Sequence, residues 1–142
     1  MADRTANVTW LGSLIEGGGR IESVGSGAFG PLDVTWASRA EDSDGRTSPE
    51  ELIAAAHASC FSMALSHGLA QAGTPADRLE TSATVTFVPG TGITKVALSV
   101  RGSVPGMDEA AFGDAAQAAK EGCPVSQALT GVEISLDAAL ES

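Results

Sequence analysis

The feature that most constrains the fold of this chain is an uncharged run from Leu52 to Ala76, which contains no Asp, Glu, Lys or Arg. A helix start precedes it: Ser48 is a good N-cap, Pro49 suits the first helical position, and Glu51 completes a Ser-x-x-Glu capping box. Gly73 supplies a C-terminal stop. The pattern predicts one long helix.

Such a run is long enough for a transmembrane interpretation. Polar side chains interrupt it, among them His57, Ser59, Ser62 and His67, and they argue against a membrane span. A helix that is apolar nearly all round is otherwise a central helix, packed by the rest of a soluble fold or by a second subunit. We therefore expect a central helix and no membrane partner.

The flanking segments carry strand-like runs and turn residues. Strands are predicted over 7–10, 20–24, 32–37, 79–88, 93–104 and 132–138, and further helices over 107–121 and 123–129. The first three strands are expected to form an antiparallel meander. Gly17, Gly18 and Gly19 lead into a strand with no following helix start or Lys, so they indicate a hairpin turn and not a phosphate site. The order βββ-α-ββ-αα-β is typical of an α+β fold, and 142 residues suit a single domain over 1–142.

Charge and composition limit the partners. Eight Lys and Arg against eighteen Asp and Glu give a net charge of −10, which should repel phosphate backbones, so nucleic acid is not expected. Aromatic residues make up only 4 % of the chain, and a core of small aliphatic side chains gains from dimerisation. No basic segment followed by an apolar one opens the sequence, so we expect a cytoplasmic protein.

Two cysteines, Cys60 and Cys123, are too sparse for a disulfide scaffold and indicate reduced thiols with a possible redox role. Cys123 precedes Pro124 at a predicted helix N-terminus, where free N–H groups lower a thiol pKa. Cys60 lies in mid-helix and needs a cation from elsewhere to become a thiolate near neutral pH. The alternative interpretation is that both cysteines are small, buried, apolar side chains without a chemical role.

Two long motifs resemble those of the osmotically inducible protein C (OsmC) family, which is related to the organic hydroperoxide resistance (Ohr) proteins. Residues 47–66, TSPEELIAAAHASCFSMALS, are similar to the first cysteine motif of that family, and residues 119–129, AKEGCPVSQAL, to the second. The turn VPGM at residues 104–107 falls where the family has a similar turn. The resemblance implies the OsmC-like fold, with an antiparallel sheet packed on a long central helix, as an intertwined homodimer.

The same resemblance implies a thiol peroxidase that reduces organic hydroperoxides, and hydrogen peroxide less well, in oxidative and osmotic stress defence. Cys60 matches the peroxidatic cysteine and Cys123 the resolving one. Arg39 matches the catalytic arginine, with Arg20 as the alternative, and Glu50 matches its acidic partner. No bound cofactor is implied. Cys60 would become a sulfenic acid, form a disulfide with Cys123, and be restored by an external dithiol, dihydrolipoamide or a thioredoxin-like protein.

If Glu50 and Cys60 share one straight helix, a spacing of ten residues at ~1.5 Å each puts them roughly 15 Å apart. That separation is too large for one small site. We therefore expect a homodimer with shared active sites, in which Arg39 and Glu50 of one subunit meet the cysteines of the other, as the family resemblance suggests.

Three competing interpretations remain open. His57 and Cys60 are three residues apart and could form a hydrolase dyad, although no third group is evident. A zinc site would draw on the two histidines and two cysteines, but it lacks a recognisable ligand spacing, and His57 and His67 are better read as a packed and a surface histidine. The alternative outside enzymology is a stress protein that binds a small apolar ligand, with both cysteines merely buried.

Overall fold

The structure, a computed structural model, describes residues 1–141. The chain divides into two compact units, Met1–Leu52 and the part from Ile53 onward. Each unit contains a three-stranded sheet, and helices accompany both, so the predicted α+β class is confirmed. The assignment of residues 1–142 to a single domain stays a prediction.

The first unit is built on an antiparallel meander, as predicted. Strand β1 (Ala6–Leu11) pairs with β2 (Gly18–Val24), and β2 pairs with β3 (Leu32–Val34). All six residues of β1 are exposed. This sheet therefore leaves apolar side chains of its first strand uncovered within the chain.

The first unit also corrects the prediction of a strand over 32–37. Strand β3 ends at Val34, and a short helix, α1, spans Trp36–Ala40. Thr35 Oγ1 accepts a hydrogen bond from the Ser38 N–H at 3.0 Å, and Ser38 Oγ accepts one from the Thr35 N–H at 2.9 Å. This reciprocal capping box starts a helix that the β-branched residues nearby had obscured.

The long helix predicted after Ser48 is confirmed as α2 (Pro49–Gln71). Ser48 Oγ accepts a hydrogen bond from the Glu51 N–H at 3.1 Å, which is the expected N-cap. The other half of the capping box differs from the prediction, because the Glu51 carboxylate accepts from the Thr47 hydroxyl at 3.0 Å. The cap fixes where the helix begins and hence the register of every residue along it.

The burial of α2 within the chain is narrower than expected. His57, Phe61, Leu65 and Leu69 recur every fourth residue and are fully buried, so they form one stripe. In the most apolar 18-residue stretch of the helix only 22 % is buried, and the Met63 side chain is 71 % exposed. By length and composition alone this helix could cross a membrane. The chain itself therefore packs only one side of α2, and the expected packing by a second subunit stays a prediction.

The second unit contains β4 (Arg78–Val88), β5 (Gly92–Ser103) and β6 (Glu133–Leu140). Strands β4 and β5 form an antiparallel hairpin, whereas β6 pairs with β5 in parallel. The expectation of an entirely antiparallel sheet is therefore corrected. Parallel neighbours need a long crossover, and two helices between β5 and β6 provide it.

The crossover consists of α3 (Glu109–Gly122) and α4 (Pro124–Ala128). The ring of Phe112 on α3 lies so close to Gly102 that an added Cβ there would fall 2.7 Å from it, which is why glycine is required. The buried core joins α2, β5, α3 and the turn before α4, through Phe61, Leu65, Leu69, Val96, Leu98, Val100, Val104, Phe112, Ala116, Ala119 and Cys123.

Candidate active site

The second unit brings the two cysteines together. Cys60 lies in the middle of α2, and Cys123 is the N-cap of α4. Both are free thiols, and they are neighbours: Cys60 packs against the core that contains Cys123, and each thiol shifts the pKa of the other. Cys123 is fully buried, while Cys60 is only partly buried. Two thiols that are distant in sequence are thus brought close together in the fold.

The surroundings of Cys123 favour its thiolate. Burial alone would raise the pKa of this thiol, but the Ser126 N–H, the Cys60 thiol, the Ser126 hydroxyl and the Val125 N–H oppose that effect, and the pKa is lowered overall. The Cys123 side chain itself makes no N-cap hydrogen bond. The prediction that the start of α4 favours a thiolate at Cys123 is confirmed.

The surroundings of Cys60 have the opposite effect. Burial raises the pKa of its thiol, the contact with Cys123 raises it further, and the Val125 N–H lowers it only in part. No arginine or lysine from Ile53 to Glu141 contributes to the pKa of either thiol. Within the second unit Cys60 is therefore held as a thiol, and its activation requires a cation that this unit does not provide.

A buried polar pair adjoins the sulfurs. His57 is fully buried, and its Nε2 lies 2.7 Å from the Ser126 hydroxyl oxygen. Burial lowers the pKa of His57. The packed position predicted for His57 is confirmed. The role of Ser126 was missed, although its place three residues after the N-cap cysteine was a usable signal, because such side chains reach back toward the cap.

The first unit positions Arg39 against Glu50. Arg39 is in the last turn of α1, and Glu50 is in the first turn of α2. Arg39 Nε donates to both carboxylate oxygens of Glu50 at 3.0 and 3.1 Å, and Nη2 donates to Oε2 at 3.0 Å. Such a two-pronged grip fixes the direction of the guanidinium. The predicted pairing of these two residues is confirmed.

Arg20, the alternative arginine, is placed differently. It lies on β2, 3.6 Å from the Asp33 carboxylate, and both side chains are more than half exposed. A single exposed contact of this kind holds a guanidinium loosely. The geometry therefore favours Arg39 over Arg20 as the directed cation.

The competing interpretations find little support. His57 directs Nε2 to Ser126 and not to Cys60, which leaves a hydrolase dyad without its central hydrogen bond. Among residues 1–141 no group of three or more His, Cys, Asp or Glu side chains is arranged to hold a metal ion. His67 is exposed, as predicted for a surface histidine.

Comparison with known proteins gives consistent matches across the chain. Residues 41–137 match a family described as OsmC-like protein. The chain is 44 % identical over 136 residues to Peroxiredoxin OsmC of Escherichia coli (strain K12), which covers 94 % of this chain and 93 % of that protein. The protein of the same name in Shigella flexneri matches equally well.

Solved structures share the fold. The organic hydroperoxide resistance protein OhrB of Bacillus subtilis superposes with a TM-score of 0.72 at 28 % identity, covering 94 % of this chain and 97 % of that one. An organic hydroperoxide resistance protein from Elizabethkingia anophelis superposes with a TM-score of 0.70 at 23 % identity, covering 96 % of each chain. The OsmC-like fold predicted from the two cysteine motifs is confirmed.

Proposed function

The chain belongs to the OsmC family, and we propose that it is a cysteine-based peroxidase that reduces organic hydroperoxides to alcohols and water. The observation that carries this proposal is the contact between the Cys60 and Cys123 thiols, one of them partly accessible and the other buried. The relatives named peroxiredoxin and organic hydroperoxide resistance protein support it. A role in oxidative and osmotic stress defence, in the cytoplasm, is part of the proposal.

The reaction proceeds in three steps: reduction of the peroxide, formation of a disulfide, and reduction of the disulfide. The Cys60 thiolate attacks one peroxide oxygen, the O–O bond breaks, and the alkoxide leaves and takes a proton to become the alcohol. Cys123 then attacks the Cys60 sulfenic acid, forming the S–S bond and releasing water. An external dithiol, dihydrolipoamide or a thioredoxin-like protein, reduces the disulfide and is itself oxidised. No bound cofactor takes part in this sequence.

Cys60 is activated by Arg39 of a second copy of the chain. Helix α2 is continuous from Pro49 to Gln71, so Glu50 and Cys60 lie ten residues, about 15 Å, apart on one axis. Because the Glu50 carboxylate accepts hydrogen bonds from both Nε and Nη2 of Arg39, the guanidinium lies at the Glu50 end of that helix. A guanidinium beside Cys60 would lower the pKa of its thiol and stabilise the charge on the leaving oxygen.

The uncovered apolar surface supports such a homodimer. The face of α2 opposite its buried stripe carries no charged residue after Glu51, yet it is largely exposed within the chain. Large apolar side chains of the first unit are exposed too, and together with Met63 they form a set that a second copy would cover: Val8, Leu11, Leu14, Ile15 and Phe29.

Activity measurements test the peroxidase. Turnover of cumene hydroperoxide and tert-butyl hydroperoxide is compared with that of hydrogen peroxide, with dihydrolipoamide and with thioredoxin as reductants. We expect faster turnover of the organic peroxides, because Cys60 packs against the apolar core. Cys60→Ser should abolish turnover, while Ser62→Ala on the same helix should not. Peroxide consumption that survives Cys60→Ser would refute the proposal and leave the ligand-binding alternative.

Mixed dimers test the shared site. Arg39→Ala and Cys60→Ser are each expected to be inactive, but a dimer with one copy of each variant combines an intact arginine and an intact cysteine at one of its two sites. We expect that purified mixed dimer to recover about half of the native activity. Recovery of none, or full activity in a diluted stable monomer, would contradict the shared site.

A further inference from the structure

The buried pair of His57 and Ser126 is not used by the three steps above. His57 is fully buried, and its Nδ1 has no hydrogen-bond partner among the described residues. Its Nε2 makes a short contact of 2.7 Å with the Ser126 hydroxyl. A buried histidine with one strong contact and one unpaired nitrogen has a preferred arrangement of its hydrogen atoms.

That arrangement follows from the unpaired nitrogen. Burial disfavours the charged imidazolium, so the ring is neutral. A neutral imidazole carries one N–H, on either Nδ1 or Nε2. A hydrogen on Nδ1 would bury an N–H with no acceptor, a rarer condition in proteins than an acceptor without a donor. The hydrogen therefore sits on Nε2, and His57 donates to the Ser126 oxygen.

The direction of this bond decides what Ser126 can do. A serine hydroxyl has one hydrogen, and because its oxygen accepts from His57, that hydrogen is left to point elsewhere. The neighbouring acceptor is the sulfur of Cys123, because Cys123 is the N-cap of α4, Ser126 is the third residue after it, and both side chains are buried. The Ser126 hydroxyl also lowers the pKa of the Cys123 thiol, as a donor turned toward that sulfur would.

We propose that His57 is a positioning residue that keeps the Ser126 hydroxyl turned as a hydrogen-bond donor toward the sulfur of Cys123. The inference rests on the proposed function for its consequence in catalysis. A donor aimed at this sulfur stabilises the Cys123 thiolate that attacks the Cys60 sulfenic acid. The S–S bond forms, the S–O bond breaks, and the departing hydroxide takes up the proton that the Cys123 thiol gave to the solvent and leaves as water.

The same donor acts when the disulfide is reduced. Cys60 is partly accessible while Cys123 is fully buried, so the external dithiol attacks the Cys60 sulfur. The S–S bond breaks, its electron pair goes to the Cys123 sulfur, and a mixed disulfide forms at Cys60. A leaving thiolate that is stabilised leaves faster. The accessibility of Cys60 therefore sets which sulfur departs, and Ser126 affects how readily it departs.

The test is a titration of Cys123 in the Cys60→Ser background, followed by the ultraviolet absorbance of the thiolate. Cys60 is the only other titratable group that acts on this sulfur within the described residues, and no carboxylate, ammonium or guanidinium does. Four further variants are compared: Ser126→Ala, Ser126→Thr, His57→Leu and His57→Gln. Gln keeps an N–H donor near the position of Nε2, and Thr keeps the hydroxyl.

We expect Ser126→Ala and His57→Leu to lower the thiolate fraction at neutral pH at least about fivefold, since a hydrogen bond to a charged group is lost. Ser126→Thr and His57→Gln should restore most of it. Ser62→Ala, which removes another partly buried hydroxyl, bonded to Thr81, should leave the titration unchanged. An unchanged titration in Ser126→Ala would overturn the proposal, even if His57→Leu fails to fold.

A second measurement uses the protein with both cysteines. After one pulse of peroxide, Ser126→Ala should slow disulfide formation but not the appearance of the Cys60 sulfenic acid. Equal slowing of both steps would indicate a general structural defect and contradict the positioning role. The titration needs no peroxidase activity, so an inactive protein would refute the proposed function and still leave the role of His57 testable.

Discussion

The two units of this chain handle charge in opposite ways. The first keeps a full ion pair, with the Arg39 side chain about one-third exposed and Glu50 buried beneath it. The second unit packs a partly buried thiol and a buried one beside a buried histidine and serine, and among the described residues no charged side chain acts on either sulfur. Only dipoles favour a thiolate there, namely the N–H groups of Val125 and Ser126, the Ser126 hydroxyl and the Cys60 thiol, and their net effect lowers the pKa of Cys123 but not that of Cys60. The difference shows that the second unit supplies no charge that would activate Cys60, which is why the proposed function takes the arginine from a second copy of the chain.

The comparison predicts a large difference in core stability between the units. Phe61 is fully buried in the second unit, whereas Phe29 in the first is 45 % exposed. Phe61→Ala should reduce the free energy of unfolding by about 3–5 kcal/mol, because it leaves a cavity in the core. Phe29→Ala is the matched control and should cost less than about 1 kcal/mol in the monomeric chain, with a larger cost only where a second copy of the chain covers this side chain. Urea unfolding measures both, and equal losses would show that the first unit has a covered core of its own.

Arg39 of the first unit should affect the rate of peroxide turnover and not the free energy of unfolding. Arg39→Lys keeps the positive charge but loses the two-pronged grip on Glu50, so we expect peroxide turnover to fall about 100-fold. Arg20→Lys, at the exposed pair with Asp33, is the control and should retain activity. If Arg20→Lys is the inactive variant instead, the directing arginine lies on β2 and the proposed role of Arg39 is wrong.

The buried histidine should make the second unit sensitive to acid. Burial lowers the pKa of His57 from 6.5, so below that pH the unfolded chain binds a proton that the folded chain does not. Neutral His57 therefore contributes to the free energy of unfolding above pH 6.5. This contribution is lost as the pH falls from 6.5 toward the pKa of His57 in the folded protein, by at most about 1.4 kcal/mol per pH unit.

His57→Gln should remove this dependence, and His67→Gln at the exposed position should leave it intact. Urea unfolding at a series of pH values distinguishes the two variants. An unchanged slope in His57→Gln would mean that other groups cause the acid sensitivity.

The smallest expected effect is at the start of α2. Ser48→Ala removes the hydroxyl that accepts from the Glu51 N–H and should cost about 1 kcal/mol of stability. Ser59→Ala, on an exposed turn of the same helix where the hydroxyl donates back to Ala55, should cost less than about 0.5 kcal/mol. A loss at Ser48 no larger than at Ser59 would show that packing alone sets the start of the helix.

The sequence predicted those elements whose signals are local. The cap at Ser48 and the glycine after α2 mark a helix by interactions within a few residues, and the alternation along β5 marks a half-buried strand. The pairing of Cys60 with Cys123 came from a motif resemblance, since no local pattern brings residues 63 positions apart together. Arg39 and Glu50 were matched in the same way.

What the sequence could not predict depends on tertiary neighbours. Helix α1 was missed because its cap is a serine and threonine pair among residues that favour strands, and the parallel pairing of β6 is decided by the crossover and not by its own residues. The bond between His57 and Ser126 joins two elements 69 residues apart. Composition predicted that α2 would be covered, but only the structure shows that the chain covers a single stripe of it.

The parallel pairing of β6 with β5 also has a consequence for how the protein is made. The sheet of the second unit is complete only after residues through Leu140 have emerged from the ribosome, long after α2 has been synthesised. Until then the apolar stripe of α2 is not fully covered, and Cys60 is not yet packed against Cys123. A nascent chain therefore exposes the apolar stripe of this helix until the last strand of the sheet has been synthesised.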